Sequence, residues 1–150
     1  MAYISIQPND FFNAVIYNGT GAEHAITVGF QPDFTWTKAR WEDASNYLVD
    51  SVRGVGEELR SDGTNIELED AQGLKSFDVN GYTLGTTSGY NNSSGTFVSW
   101  NWKAGTTSVP SGGSITPSAV SISTAAGFGM YKYGGASATS TIAHGLGARS

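Results

Sequence analysis

An all-β fold, a sandwich or a barrel, is what this sequence predicts. Three observations carry that expectation: a composition of turn formers and aromatics, apolar alternation at period two, and turn signals that recur between short apolar runs. Glycine contributes 20 of the 150 residues, aromatics reach 12%, and charged residues only 14%. Long helices favour Ala, Leu, Glu and Lys, whereas sheets favour aromatic and β-branched residues between Gly, Asn and Ser turns. Thr35-Trp36-Thr37-Lys38 follows Pro32-Asp33, and Asn46-Tyr47-Leu48-Val49 follows a polar turn. Thr96-Phe97-Val98-Ser99-Trp100-Asn101-Trp102-Lys103 alternates with Val98, Trp100 and Trp102 on one face. Alternation therefore predicts that Trp36, Val98, Trp100 and Trp102 fill one sandwich interior. Gly81–Gly85 reads as a short strand, Val55–Arg60 as loop or strand, and Asp62-Gly63, Asn80-Gly81 and Ser94-Gly95 as turns. Many short strands joined by regular turns make a sandwich or a barrel.

The same composition bounds function. A chain of this length buries roughly 68–70% of its unfolded surface and needs no staple to fold. With no cysteine, thiol catalysis and Cys-based zinc sites are excluded. The net charge is -5 and the eight basic residues are scattered, which argues against a phosphate-binding surface and hence against nucleic acid as a partner. No apolar run approaches the ~20 residues of a membrane helix, so no membrane partner is expected. Met1-Ala2-Tyr3-Ile4-Ser5 lacks the regions of a signal peptide.

Domain organisation follows from a change of composition and a repeat. From Ala104 to Pro117 the chain turns to Gly, Ser, Thr and Pro and reads as a linker or a surface-hugging strand. Beyond it the N-terminus recurs without a gap at a spacing of 116 residues: Ile4 falls on Val120, Ser5-Ile6 on Ser121-Ile122, Phe12 on Phe128, Tyr17 on Tyr133, Gly19 on Gly135, Ile26 on Ile142, Gly29 on Gly145 and Phe30 on Leu146. The expected division is a β-sandwich over 1–103, a linker over 104–117 and the first strands of a second copy over 118–150. A pair of strands is marginal alone and its edges invite pairing. Val120, Ile122, Phe128, Tyr131, Tyr133 and Ile142 must therefore be buried, either on their own sandwich or against a neighbouring subunit by strand addition. The sequence favours the intermolecular option, since the segment copies a surface the chain already packs.

Candidate chemistry is sparse. Glu57, Glu58, Glu67, Glu69 and Asp70 form an acidic cluster, but Glu67 and Glu69 alternate with Ile66 and Leu68 as on the solvent face of a strand. His24 and His144 do not align in the repeat and lack a carboxylate motif, no nucleophile elbow is present, and Gly19-Thr20-Gly21 is half of any phosphate fingerprint. No catalytic residue and no hydrolase activity are expected. A sugar platform of aromatic rings falls best on Trp41, in the polar loop Lys38–Asp43, together with Tyr90, Asn91 and Asn92 of Gly89-Tyr90-Asn91-Asn92.

Several segments resemble an uncharacterised domain family of marine tailed phages: Ile16–Gly21, Val28–Lys38, Asp50-Ser51-Val52-Arg53-Gly54, Ser76–Tyr82, Val98–Gly105, and, in the second copy, Gly127–Tyr133 with Thr141–Gly147. The resemblance covers nearly the whole chain. It implies a concanavalin- or laminin-G-like (jelly-roll) antiparallel sandwich, since relatives occur, often in tandem, in tail fibres and other virion proteins. Sandwiches of that kind often carry calcium in loops, which points to Asp62, Asp70 and Asp78; no other cofactor is implied. The function expected is that of a non-enzymatic virion structural protein, of tail-fibre or head-decoration type. It would be made in the host cytoplasm and displayed on the virion surface. Its partners would be itself, as a homo-oligomer, other virion proteins, and host-surface glycans. A freestanding glycan-binding lectin and a polysaccharide-degrading enzyme are the alternatives.

Overall fold

A computed structural model describes residues 7–147; the Ile4, Ser5 and Ile6 part of the repeat and the terminal Ala148-Arg149-Ser150 lie outside the described residues. The chain is an antiparallel β-sandwich of jelly-roll-like character, as expected. After a 3₁₀ turn at Pro8–Asp10 come β1 (Phe12–Asn18), β2 (His24–Thr27), β3 (Phe34–Ala39), β4 (Asn46–Asp50), β5 (Gly54–Arg60), β6 (Leu68–Glu69), β7 (Leu74–Asp78), β8 (Gly81–Leu84), a one-turn helix α1 (Ser88–Asn91), β9 (Thr96–Trp102), β10 (Ala119–Ser123) and β11 (Phe128–Lys132). One six-stranded sheet runs β1-β9-β3-β4-β5-β6, and a three-stranded sheet, β2-β8-β7, covers it. Val55–Arg60 lies in strand β5, while α1 was not legible in the sequence.

Between the two sheets lies a core of Tyr17, Ile26, Val28, Phe30, Ala39, Val49, Leu74, Tyr82, Leu84, Tyr90 and Phe97. The period-two reading of β3 and β9 is correct and its parity is inverted. Thr35, Thr37, Ala39, Phe97, Ser99 and Asn101 point inward and are buried, whereas Trp36, Val98, Trp100 and Trp102 point outward and are half-buried. The reason is volume. Tyr17 stacks on Phe97 with ring centroids 5.3 Å apart, and Tyr82, fully buried, reaches across to donate its hydroxyl to Ser99 Oγ at 2.8 Å. A sandwich interior is only about 10 Å thick. With Tyr82 entering from the opposite sheet and Tyr17 and Phe97 stacked beside it, the remaining inward positions of β3 and β9 take Thr35, Thr37, Ala39, Ser99 and Asn101, and their indoles are left on the outer face.

The segments after β9 form a further layer. β10 and β11 pair with one another and belong to neither main sheet. Their hairpin lies across the outer face of the six-stranded sheet, with Phe128 against Trp102 (5.9 Å) and Phe34 (6.1 Å). Val120 and Ile122, each 3% exposed, are buried outside the main core. The linker is not featureless: Thr106 bridges Ile122, and Ile115 bridges Ile142. Within the single chain the tail packs on its own sandwich, the first of the two options, and it does so on the face of the sheet. Side chains already present on the outer face supply the apolar surface that those strands need.

Parity has a measurable consequence. Phe97→Ala empties a core position and should cost about 3–5 kcal/mol. Trp100→Ala removes a half-exposed ring and should cost about 1–2 kcal/mol. Urea unfolding of both variants gives the order directly; equal losses would contradict the inward and outward assignments.

Candidate functional site

Most of the charged side chains singled out in the sequence hold the scaffold together. Asp50 Oδ1 accepts from the amides of Val52 (3.0 Å) and Arg53 (2.8 Å), and Oδ2 accepts from Arg53 Nε at 2.6 Å. The Asp50-Ser51-Val52-Arg53-Gly54 segment is therefore a turn closed by its own ion pair, with Arg53 also donating to Glu67 and to the Leu48 carbonyl. Glu58, a member of the acidic cluster, is buried. Its Oε1 accepts from Arg60 Nε and Nη2 at 3.0 and 2.8 Å, and its Oε2 accepts from Tyr90 Oη at 2.8 Å. Both residues lie on β5, two apart and so on one face. A buried carboxylate survives where its oxygens are paired and hydrogen-bonded.

The three aspartates expected to hold calcium are not brought together. Asp62 caps the Asn46 amide (3.0 Å), and that hydrogen bond holds its carboxyl below the usual range. Asp70 accepts from the Gln72 amide and the Thr87 hydroxyl, and Asp78 accepts from Ser76 and Thr83 hydroxyls. Each carboxylate is spent on a different turn, and among the described residues no group of three metal-ligating side chains forms.

The expected sugar platform is likewise dispersed. Tyr90 and Asn91 are buried, at 1% and 0% exposure. Turn α1 swings both inward: Tyr90 stacks near Tyr47 with centroids 4.4 Å apart, and its carbonyl accepts from Tyr17 Oη. Asn91 stitches three loops, receiving the Thr20 amide and donating to the carbonyls of Ala22 and Gly85. Asn92 is half-buried and caps Ser94. Trp41 alone remains open, at 41% exposure. Its indole lies over Gly95, where a Cβ would fall 2.4 Å from Nε1.

Instead, the structure places its aromatic surface on the outer face of the six-stranded sheet. Strand register aligns Ala14 with Trp100, Trp100 with Trp36, Trp36 with Leu48 and Leu48 with Leu59, so one apolar row crosses β1, β9, β3, β4 and β5. Trp36 and Trp100 lie 5.7 Å apart at 60°, and Trp36 Nε1 donates to Asn46 Oδ1 at 3.2 Å, which holds the ring in place. On one side of this row stand Ile16, 66% exposed, Val98, Lys38 and Asn46. On the other, Phe12, Trp102 and Phe34 form a parallel row on which Phe128 sits. Phe12 and Phe128, equivalent in the repeat, thus both pack against Trp102, at 4.9 and 5.9 Å.

Among the assembly residues, Val120 and Ile122 are buried, and Phe128, Tyr131 and Ile142 are half-buried. Tyr133 is 52% exposed. Tyr131 Oη donates to the His144 carbonyl, and burial pushes its phenol up. Between β11 and the β4–β5 turn a groove of about 380 Å³ opens, lined by Asp50, Arg53, Leu59, Met130, Tyr131 and Tyr133 among others. The alternation reading assigned these tryptophans to the core and so set this surface aside; no signal in the chain alone fixes which face of β9 turns inward.

The profile of a domain family of unknown function matches residues 7–150. No curated protein matches the chain, and no solved structure does. No helix among the described residues is long and apolar enough to cross a membrane.

The core tyrosines supply a test of this arrangement. Burial pushes the phenols of Tyr17, Tyr82 and Tyr90 above the ordinary 10.0, and the Glu58 carboxylate adds to the rise at Tyr90. A phenol whose pKa is higher in the folded than in the unfolded chain stabilises the fold in full below about pH 10 and loses that contribution as pH rises beyond it. Absorbance at 295 nm should therefore show these three ionising only in a cooperative step, coincident with loss of the β-sheet signal, well above pH 10. Gradual ionisation of all the tyrosines with the fold intact would contradict their burial.

Proposed function

Since the chain belongs to that family, DUF7483, whose function is unknown, we propose that the protein is a non-enzymatic structural component of a tailed-phage virion. In this reading it is a surface β-sandwich of tail-fibre or head-decoration type, working by binding and assembly with itself, with other virion proteins and with host-surface glycans. One observation carries the reading: the outer face of the main sheet is an aromatic surface, and its end is occupied by a hairpin, β10–β11, that repeats the N-terminal strand and joins neither main sheet as a strand. A sheet face of this kind is a contact surface. A hairpin joined through a Gly- and Ser-containing segment is a means of linking one unit to the next. Five of the carboxylates are committed to the frame: Asp50 and Glu58 to arginines, Asp62, Asp70 and Asp78 to turns.

Two measurements test it. Quantitative mass spectrometry of salt-washed phage particles should find the protein at a fixed copy number; its absence from particles would overturn the virion reading in favour of a freestanding lectin. A chain ending at Ala104 should keep its fold, because no member of the main core lies beyond Phe97, but should lose assembly with its partners. Light scattering would expose the opposite result, an unchanged oligomer, which would remove the hairpin from assembly.

A further inference from the structure

The geometry points to the row Ala14, Trp100, Trp36, Leu48 and Leu59, with the groove at its Leu59 end, as a binding site for a linear, neutral, β-1,4-linked glycan. This deepens the glycan-binding part of the reading above and rests on it. The row is continuous in register across β1, β9, β3, β4 and β5. Neighbouring strands lie roughly 4.8 Å apart, a step comparable with that of successive sugars in an extended β-1,4-linked chain, so each ring meets a side chain from a new strand.

On one side of the row the hairpin stands on Phe34 and Trp102; on the other the flanking row is Ile16 and Val98 at β1 and β9, then Lys38, whose ammonium donates to the Ala44 carbonyl at 2.6 Å, and Asn46, which holds Trp36.

Chemistry selects the sugar. Pyranoses with equatorial hydroxyls carry apolar C–H faces that stack on indoles, and their hydroxyl edges seek polar groups. The row itself carries no charge, which disfavours a uronic acid polymer. Its polar groups sit at the end, in the groove of about 380 Å³, where Arg53, Lys132 and the half-exposed Tyr133 stand around Leu59. Arg53 spends one N–H each on Asp50, Glu67 and the Leu48 carbonyl. A guanidinium has five, so two remain for ligand hydroxyls.

Titration of the full-length protein with cellohexaose, followed by calorimetry and tryptophan fluorescence, tests the site, with maltohexaose as the α-linked comparator. Cellohexaose should bind with a change in tryptophan emission, and maltohexaose should bind at least about tenfold more weakly. Trp36→Ala and Trp100→Ala should each weaken binding about tenfold, the scale of one aromatic stacking contact, and Trp41→Ala should leave it unchanged. Leu59→Asp, at an exposed edge position, gives the same test without emptying a half-buried site. No binding at millimolar cellohexaose by the folded protein would overturn the inference, as would binding that survives both Trp100→Ala and Leu59→Asp. Self-association abolished by Trp100→Ala would assign the face to a second copy of the chain and overturn it too. Failure here with the protein still present on particles would leave the virion reading standing; absence from particles with cellohexaose bound would do the reverse.

Discussion

The hydroxyl of Tyr82, buried and donating to Ser99 across the sandwich, fixes how the two sheets meet. A phenol in an apolar interior must find a partner, since leaving it unpaired costs about 1–3 kcal/mol. Here the partner is a small side chain on β9, a strand of the opposite sheet that is paired on both sides. That requires Ser99 to face inward, and the period-two geometry of β9 then sends Val98, Trp100 and Trp102 outward. Pairing of β9 with both β1 and β3 transmits the same parity to Ile16 and Ala14 on one side and to Trp36 and Phe34 on the other. The aromatic outer face is in this sense a consequence of a tyrosine-filled interior.

A surface of that kind is costly to leave wholly in water, and the chain covers part of it. Asp33 is where the cover is attached. Its Oδ1 accepts from Ser51 and Ser121 hydroxyls and its Oδ2 from the Ala104 amide. One carboxylate thereby joins the β2–β3 loop to the β4–β5 turn, the start of the linker and strand β10. Phe128 then settles on Trp102 beside Phe12, so a repeated residue meets the ring that its counterpart already packs against. Behind the hairpin, Gly145 runs so close to Pro110 that a Cβ there would fall 2.6 Å from its Cγ, and the chain closes over Ile122. The part of the face that the hairpin does not cover lies around Trp36 and Trp100.

Electrostatics follows the same division of labour. Arginines pair with carboxylates within their own turn or strand, Arg53 with Asp50 and Arg60 with Glu58, and these pairs rigidify the end of the sheet that carries the groove. Arg60 also lies 5.4 Å from the centre of the Tyr47 ring, which in turn packs on Tyr90. Charge here orders the frame, while the outer face of the sheet is built from aromatic and aliphatic side chains.

Much of this architecture was legible in the chain alone. Alternation, turn residues and composition determined that the protein is an all-β sandwich, where most strands run, and that the N-terminal strand recurs near the C-terminus, because these depend on local chemistry and on a period of two. Which side of each strand faces the core was not legible. Both faces of β3 and β9 are plausible interiors by sequence, one of indoles and one of small polar residues, and the choice depends on tyrosines supplied by the opposite side and by the neighbouring strand β1. The same holds for the sites. Tyr90 and Asn91 look like an exposed loop until α1 turns them in, and Asp62, Asp70 and Asp78 look like a ligand set until each is found on its own turn. The hairpin's place was open for a similar reason: its need for an apolar partner was written in Val120, Ile122 and Phe128, while the location of that partner, on Phe34 and Trp102, came into being only when the sheet turned those rings outward. Tertiary structure alone decided parity, burial and docking, since each is set by residues distant in sequence competing for the same volume.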